Sequence, residues 1–502
     1  YEYVSAPREV EGRINYGFSA DKDNWEPRLG FAWSPNFDDG FWHSLFGNVG
    51  DSSFRGGYGI FHGRLFQSVF SQGGATVRFN PPNAFFFNQA GLASSIFNPV
   101  NLADPTNGFV FVPGPQTARH TLTLIDPGLE MPYTQQWNLT FERQMPFSSA
   151  LRISYTGNRG IGLLKYALNN LPLHDPVNGV LVPNHPNNPA NLRGKVIRLA
   201  ANFLCAGTTG TSAAPFTPQC PVAVPIGEFE YSFRVPRTNE RRPNGLHGTN
   251  VAVSNGSWSY YNALQLEWTK RLSSNLNFQA AYTWSKAIDT TSEATFVGAG
   301  DSNQNGNNPR NSRGLSRFHT PHRFTIYGTY RLPFFSGDRG LLGQAFGGWN
   351  FSAVVKLAKG TPFTVTTTAL DLNFDGFGEN RPVLLDTSIL GNSVNHPATS
   401  RNALPRAAFR TLTSADFNTP ILGRNTFFVD GVKNVDLGIN KLFRMPWEGH
   451  TLTLRADMFN AFNHVQYGVP SAAITNTNFG AITGTAVQYL PRNIQVSLRY
   501  QY

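Results

Sequence analysis

The last eleven residues, RNIQVSLRYQY, constrain this chain more than any other stretch. Ile494, Val496, Leu498, Tyr500 and Tyr502 fall on one parity, and Asn493, Gln495, Ser497, Arg499 and Gln501 on the other. Period two over such a run predicts a β-strand with one apolar and one polar face. No helix follows in the sequence to cover the apolar face, which leads to the expectation that lipid covers it. A lipid-facing strand must pair along both edges, because hydrocarbon supplies no hydrogen-bond partners. The sheet is then expected to close into a barrel.

Composition agrees with that expectation without deciding it. Charged residues are 14% of the chain and aromatics 13%, against about 25% charge in an average soluble domain. No apolar run reaches the roughly 18 residues that a spanning helix needs. A large secreted β protein has a similar composition. The net charge of +10 is dispersed, and neither a basic patch nor a recognisable nucleic-acid module stands out, so no nucleic-acid partner is expected.

Alternation places further strands at Glu11–Ser19, Trp25–Ser34, Ser53–Gly63, Tyr133–Gln144, Ala150–Asn158, Tyr260–Leu272, Asn275–Lys286, His322–Leu332, Trp349–Thr366, Val432–Phe443 and His450–Asn463. With the final strand they make about twelve. From the third strand on, the connections run roughly 69, 3, 99, 2, 35, 15, 65, 6 and 28 residues. Long and short alternate throughout. A soluble sandwich has no reason to gather every long connection at one end. An outer-membrane barrel does, with short periplasmic turns and long extracellular loops. The reading is therefore an all-β, antiparallel transmembrane barrel in a bacterial outer membrane, with lipid and lipopolysaccharide around it.

Several blocks then resemble a known family. They are PRLGFAW (27–33), QQWNLTFERQ (135–144), SYTGNRG (154–160), YNALQLEWTKRLSSNLNFQAAYTWSKAID (261–289), PHRFTIYGTYRLP (321–333) and LRADMFNAFNH (454–464). Together they resemble the barrel of TonB-dependent outer-membrane receptors, most closely the Oar-like branch. Such receptors carry a TonB box, a plug domain and a barrel of about 22 strands. The sequence starts at Tyr1 and shows no plug or TonB box. The resemblance thus implies that 1–502 is the C-terminal part of the barrel, reaching the TonB complex through an N-terminal region outside this sequence. A free-standing twelve-stranded barrel is the alternative. The implied function is uptake of a bulky extracellular substrate through loops 64–132, 159–257 and 367–431. The alternative is a surface or adhesion protein whose barrel anchors those loops.

The polar parity supplies the expected lumen-facing residues: Gln265, Glu267, Arg323, Arg331, Arg455, Asp457 and Arg499. By the resemblance these would face a plug. Asp371, Asn373 and Asp375 precede Gly376 in the manner of a calcium loop. The twelfth position is Pro382, which has no side-chain ligand, so a polar turn is the competing reading. Calcium is the one cofactor the residues suggest. Cys205 and Cys220 share one Gly/Pro/Thr-rich segment and suit a local disulfide in an oxidising compartment, with two free thiols as the alternative. His319 and His322 are three apart, with no third metal ligand evident. No GxSxG, HExxH, P-loop or CxxC motif occurs, and no enzymatic activity is expected.

Overall fold

The computed structural model describes residues 21–64, 123–169, 250–292, 312–335, 340–370 and 378–502, except positions 127, 274, 414–415, 417–418, 446, 448 and 488. It also describes the short strands Pro176–Val177, Val180–Leu181, Val196–Leu199 and Gly227–Glu230. Eleven long strands form one antiparallel meander in strict sequence order. They are β1 (Arg28–Trp33), β2 (Ser52–His62), β3 (Tyr133–Met145), β4 (Ser149–Asn169), β5 (Asn250–Ser273), β6 (Leu276–Asp289), β7 (His322–Arg331), β8 (Trp349–Ala358), β9 (Val432–Arg444), β10 (Thr451–Phe459) and β11 (Asn493–Gln501). Among the described residues β1 and β11 are the two edges, and the sheet is open between them.

Opposed residues in neighbouring strands point to the same side of a sheet. One apolar row runs Trp33, Phe54, Phe141, Ile153, Leu266, Tyr282, Phe324 and Leu357 from β1 to β8. Another runs Tyr330, Phe351, Ile439, Ala456 and Val496 from β7 to β11. Aromatics on this side lie over glycines. A side chain at Gly157 would collide with the Trp137 ring, and one at Gly56 with the Phe31 ring. Each glycine gives up side-chain packing and lets the opposing ring lie flat across the strand.

The ends of β4, β5, β8 and β10 depart most from the sequence reading. β4 and β5 run farther than expected, into territory read as loop 159–257, because Asn158–Leu168 continues to pair with Val251–Tyr261. β8 stops at Ala358 instead of reaching Thr366. Gly360 there lies so tightly against Val429 that no side chain would fit, and Pro362 lacks a backbone donor. β10 stops at Phe459 instead of Asn463, because Asn460 and Asn463 take left-handed backbone, φ 48° and 51°, which Asn tolerates better than most residues. The expected strand Glu11–Ser19 lies outside the described residues.

The larger correction concerns the connections 359–431 and 460–492, expected as loops over 367–431 and 464–491 and as strand ends over 359–366 and 460–463. They fold together into a cap with its own core. Phe363, Val365, Val394, Leu404, Phe409 and Phe427 from the first pack with Ile474, Phe479 and Ile482 from the second. Val365, Val394, Leu404 and Phe427 are fully buried. Short pairings 362–363 with 427–428 and 383–384 with 409–410 brace the cap. Backbone bonds from Thr366 N to Ala472 O and from Ile474 N to Thr366 O, each 2.9 Å, join the two connections. The cap is tied to β9 by Gln466, whose amide accepts from Lys433 N at 3.2 Å and donates to Lys433 O at 2.9 Å. That side chain replaces a strand rung where β10 has already left the sheet.

Truncating the cap core tests its independence from the wall. Phe427→Ala is expected to cost the cap about 3–5 kcal/mol. Limited proteolysis should then cut within 359–431 while the β1–β11 sheet stays protected.

Candidate functional site

The polar face carries a ladder of charge across four strands, extended over two more by neutral hydrogen-bonding side chains. Arg55 (β2) lies 3.5 Å from Glu142 (β3), Glu142 2.8 Å from Arg152 (β4), and Arg152 3.2 Å from Glu267 (β5). Gln279 (β6) donates to Glu267 at 2.7 Å, and the Tyr327 hydroxyl (β7) donates to Gln279. Register puts Glu142, Arg152 and Glu267 in one row. Signs alternate along the row, so each charge has an opposite neighbour. The members are part-exposed, so each pair contributes only about 0–1 kcal/mol. Their combined effect is a fixed pattern of donors and acceptors. The ladder borders an open concavity of about 430 Å³, floored by Thr140, Ser154 and Gln265. Its acidic, basic and amide side chains present hydrogen-bond donors and acceptors to whatever polar surface or water meets them.

The sequence-derived lumen residues sort as follows. Gln265 and Glu267 belong to this concavity. Arg323 opposes Thr283 in the row that contains Gln265. Arg331, Arg455 and Asp457 sit farther along the same face, where Arg455 donates to Asp457 at 2.7 Å. Arg499 opposes Thr453 on β10. The sequence reading missed Arg55, Glu142 and Arg152. Their parity was visible, but register across four strands is needed to set them beside Glu267. Asp371, Asn373, Asp375, Cys205 and Cys220 lie outside the described residues. Among the described residues no cluster of three metal-ligating side chains forms.

At the long-connection end, a buried ion pair joins the cap to the end of β6 and, through further bonds, to the connection 290–321. Arg424 of the cap meets Asp289 at the end of β6, with side chains 1% and 5% exposed. Arg424 also donates to Asp289 O at 2.8 Å, Ser312 O at 3.1 Å and Ser292 Oγ at 3.2 Å. Neighbouring Asn425, in left-handed backbone, donates to Leu315 O at 2.7 Å. One arginine thus fixes the cap to 290–321 and to the top of β6. A carboxylate of the cap itself, Asp416, is held well below the usual carboxylate range by the Arg410 guanidinium, with Thr413 adding donors.

His319 and His322 take different hydrogen-bond partners. His322 Nδ1 bonds the Tyr282 hydroxyl at 2.8 Å. His319 is buried, accepts from Ala287 N at 3.3 Å, and packs on Phe428 of the cap. Burial, with Lys286 and Lys359 nearby, lowers its pKa below the ordinary 6.5. The folded protein therefore takes up a proton there less readily than the unfolded chain does.

Residues 4–495 match the outer membrane beta barrel domain. The chain belongs to that family. It is an outer-membrane protein, and the meander is barrel wall. No curated protein matches it in sequence. Among solved structures, similar folds include the outer membrane transporter YddB from Escherichia coli, at 8% identity and TM-score 0.43 over 95% of this chain and 40% of that one. The pyoverdine receptor FpvA from Pseudomonas aeruginosa shows 10% identity and TM-score 0.36, over 95% and 36%. The iron transporter FrpB from Neisseria meningitidis shows 10% and 0.35, over 95% and 39%. The barrel chain spans about two-fifths or less of each.

Two outcomes are expected. Arg424→Ala leaves a buried carboxylate and costs about 3–5 kcal/mol locally, read as faster amide exchange in 312–316 and 424–428. Cap stability falls as pH drops through 6.5 toward the lowered pKa of His319, since only the unfolded chain gains the proton. His319→Gln removes that part of the acid sensitivity, measured by cap proteolysis from pH 7.5 to 5.

Proposed function

We propose that this chain is the C-terminal part of the barrel of a TonB-dependent, Oar-like receptor, which takes up a bulky extracellular substrate. The observation that carries the reading is the division of the molecule into two ends. Every second connection, 63–132, 170–249, 290–321, 359–431 and 460–492, is long, and the last two build a folded cap locked by Arg424. The others, 34–51, 146–148, 274–275, 332–348 and 445–450, are shorter. A meander puts all the long ones on one side. In this reading that side is extracellular and receives the substrate. The Arg55–Glu142–Arg152–Glu267 ladder faces the lumen and contacts a plug that TonB displaces. The edges of β1 and β11 pair with the remaining strands of the receptor, since bilayer hydrocarbon leaves no strand edge unpaired.

The apolar rows face lipid in this reading. Val496→Arg, at the middle of β11, is then expected to cost about 2–4 kcal/mol, whereas Gln495→Arg, on the lumen side, costs little. Folding yield in phospholipid vesicles checks the pair. Equal effects would exclude a lipid-facing Val496. The transport step is checked by mass spectrometry of solutes removed from medium by cells with and without the protein. Removal should stop when the TonB complex is deleted. A buried cap core favours one other reading, a barrel that displays a rigid surface module. Unchanged removal with lost cell attachment would establish it.

A further inference from the structure

Two of the shorter connections contain a helix. α1 (Gly40–Phe46, GFWHSLF) lies between β1 and β2, and α2 (Leu341–Phe346, LLGQAF) lies between β7 and β8. Both turn large apolar side chains to the outside. Phe41 is 71% exposed and Trp42 53%; Leu341 is 90% exposed and Phe346 58%. Helices this short do not persist unaided, so something must fix them.

The same device fixes both. The C-terminal carbonyls of α1, Ser44 O and Leu45 O, accept from the Arg143 guanidinium, the former at 3.1 Å. The corresponding carbonyls at α2, Ala345 O and Gly347 O, accept from the Lys441 ammonium. A cation suits a helix C-terminus because the exposed carbonyls concentrate negative potential there. Each cation projects from the apolar side of the sheet. Arg143 follows Phe141 by two residues on β3, and Lys441 lies in register with Trp349 and Leu454. Aromatic contacts place α1 on that same side: Phe46 meets Phe54 and Phe141 edge-on, at 5.6 and 6.1 Å. At α2, Trp349 Nε1 donates to Ala345 O at 3.1 Å, and Lys441 lies over the Trp349 ring. Both helices are therefore pinned outside the wall, not under the barrel mouth, and their greasy faces continue the apolar rows.

We infer that α1 and α2 are docking elements for the inner, phospholipid leaflet, lying at the boundary of headgroups and acyl chains. The inference rests on the proposed orientation of the barrel. Continuity with the apolar wall selects the occupant. A helix with bulky apolar residues on one side, cationic groups at its base and a Trp beside it has the chemistry of an interfacial helix. Arg143 and Lys441 bury their stems in the apolar band while their heads reach the helix carbonyls.

The test uses the whole receptor, this chain together with its remaining strands, folded into phosphatidylcholine vesicles whose lipids carry bromine near the headgroup, at mid-chain or at the chain end. The emission lost in Trp42→Phe reports α1, and the emission gained in Leu341→Trp reports α2. Both should be quenched most by bromine near the headgroup and little by aqueous acrylamide. Arg143→Gln should shift the Trp42 signal toward acrylamide quenching while emission from Trp268 and Trp284 stays lipid-quenched. The inference is overturned if Trp42 and the introduced Trp are open to acrylamide and untouched by lipid bromine while the other tryptophans are quenched. That result leaves the barrel reading standing and points to a periplasmic protein on these helices. If no tryptophan is quenched by lipid, both the orientation and this inference fail.

Discussion

The hydrogen bond between adjacent strands is the constraint on which the rest depends. In hydrocarbon a backbone N–H or C=O has no alternative partner, so the wall must be a continuous ladder. Consecutive pairing from β1 to β11 meets that demand with the simplest topology, each strand bonded to its sequence neighbours. Everything else is arranged so as not to interrupt it. Glycines opposite Phe31 and Trp137 keep large rings flat on the wall. Gln466 supplies a rung where β10 ends. Left-handed Asn460 and Asn463 turn the chain out of the sheet only beyond the last paired residue.

A single-layered wall of this kind packs no second layer of protein against either face, so its strands enclose little core of their own. The tightly packed apolar cluster lies instead in the cap, built from two connections that flank β9 and β10. There water surrounds the protein, and the ordinary hydrophobic effect applies. The most buried ion pair among the described residues, Asp289–Arg424, fastens the cap to the end of β6. Such a pair contributes modest net stability but makes the arrangement hard to exchange for another, since either partner alone would be left charged and buried.

The polar face works differently. Its charges are part-exposed and spread over neighbouring strands, so none is a strong anchor. The ladder from Arg55 to Tyr327 holds side chains in a fixed order without sealing them from solvent. That suits a surface on which another polar body rests and from which it can be released.

The twofold alternation of apolar and polar residues determined the strands, their faces and the spacing of turns. It could do so because every strand is read by the same two environments along its length, and local pattern then carries the information. The parity of Gln265, Glu267, Arg323, Arg331, Arg455, Asp457 and Arg499 was legible for that reason. Only the tertiary structure decided which charges meet. Arg55 and Glu267 are far apart in the chain, and their nearness follows from register summed over β2 to β5. The cap was invisible for a related reason. Its core draws single residues such as Phe363, Phe427 and Phe479 from irregular backbone, where no period marks which side chains turn inward.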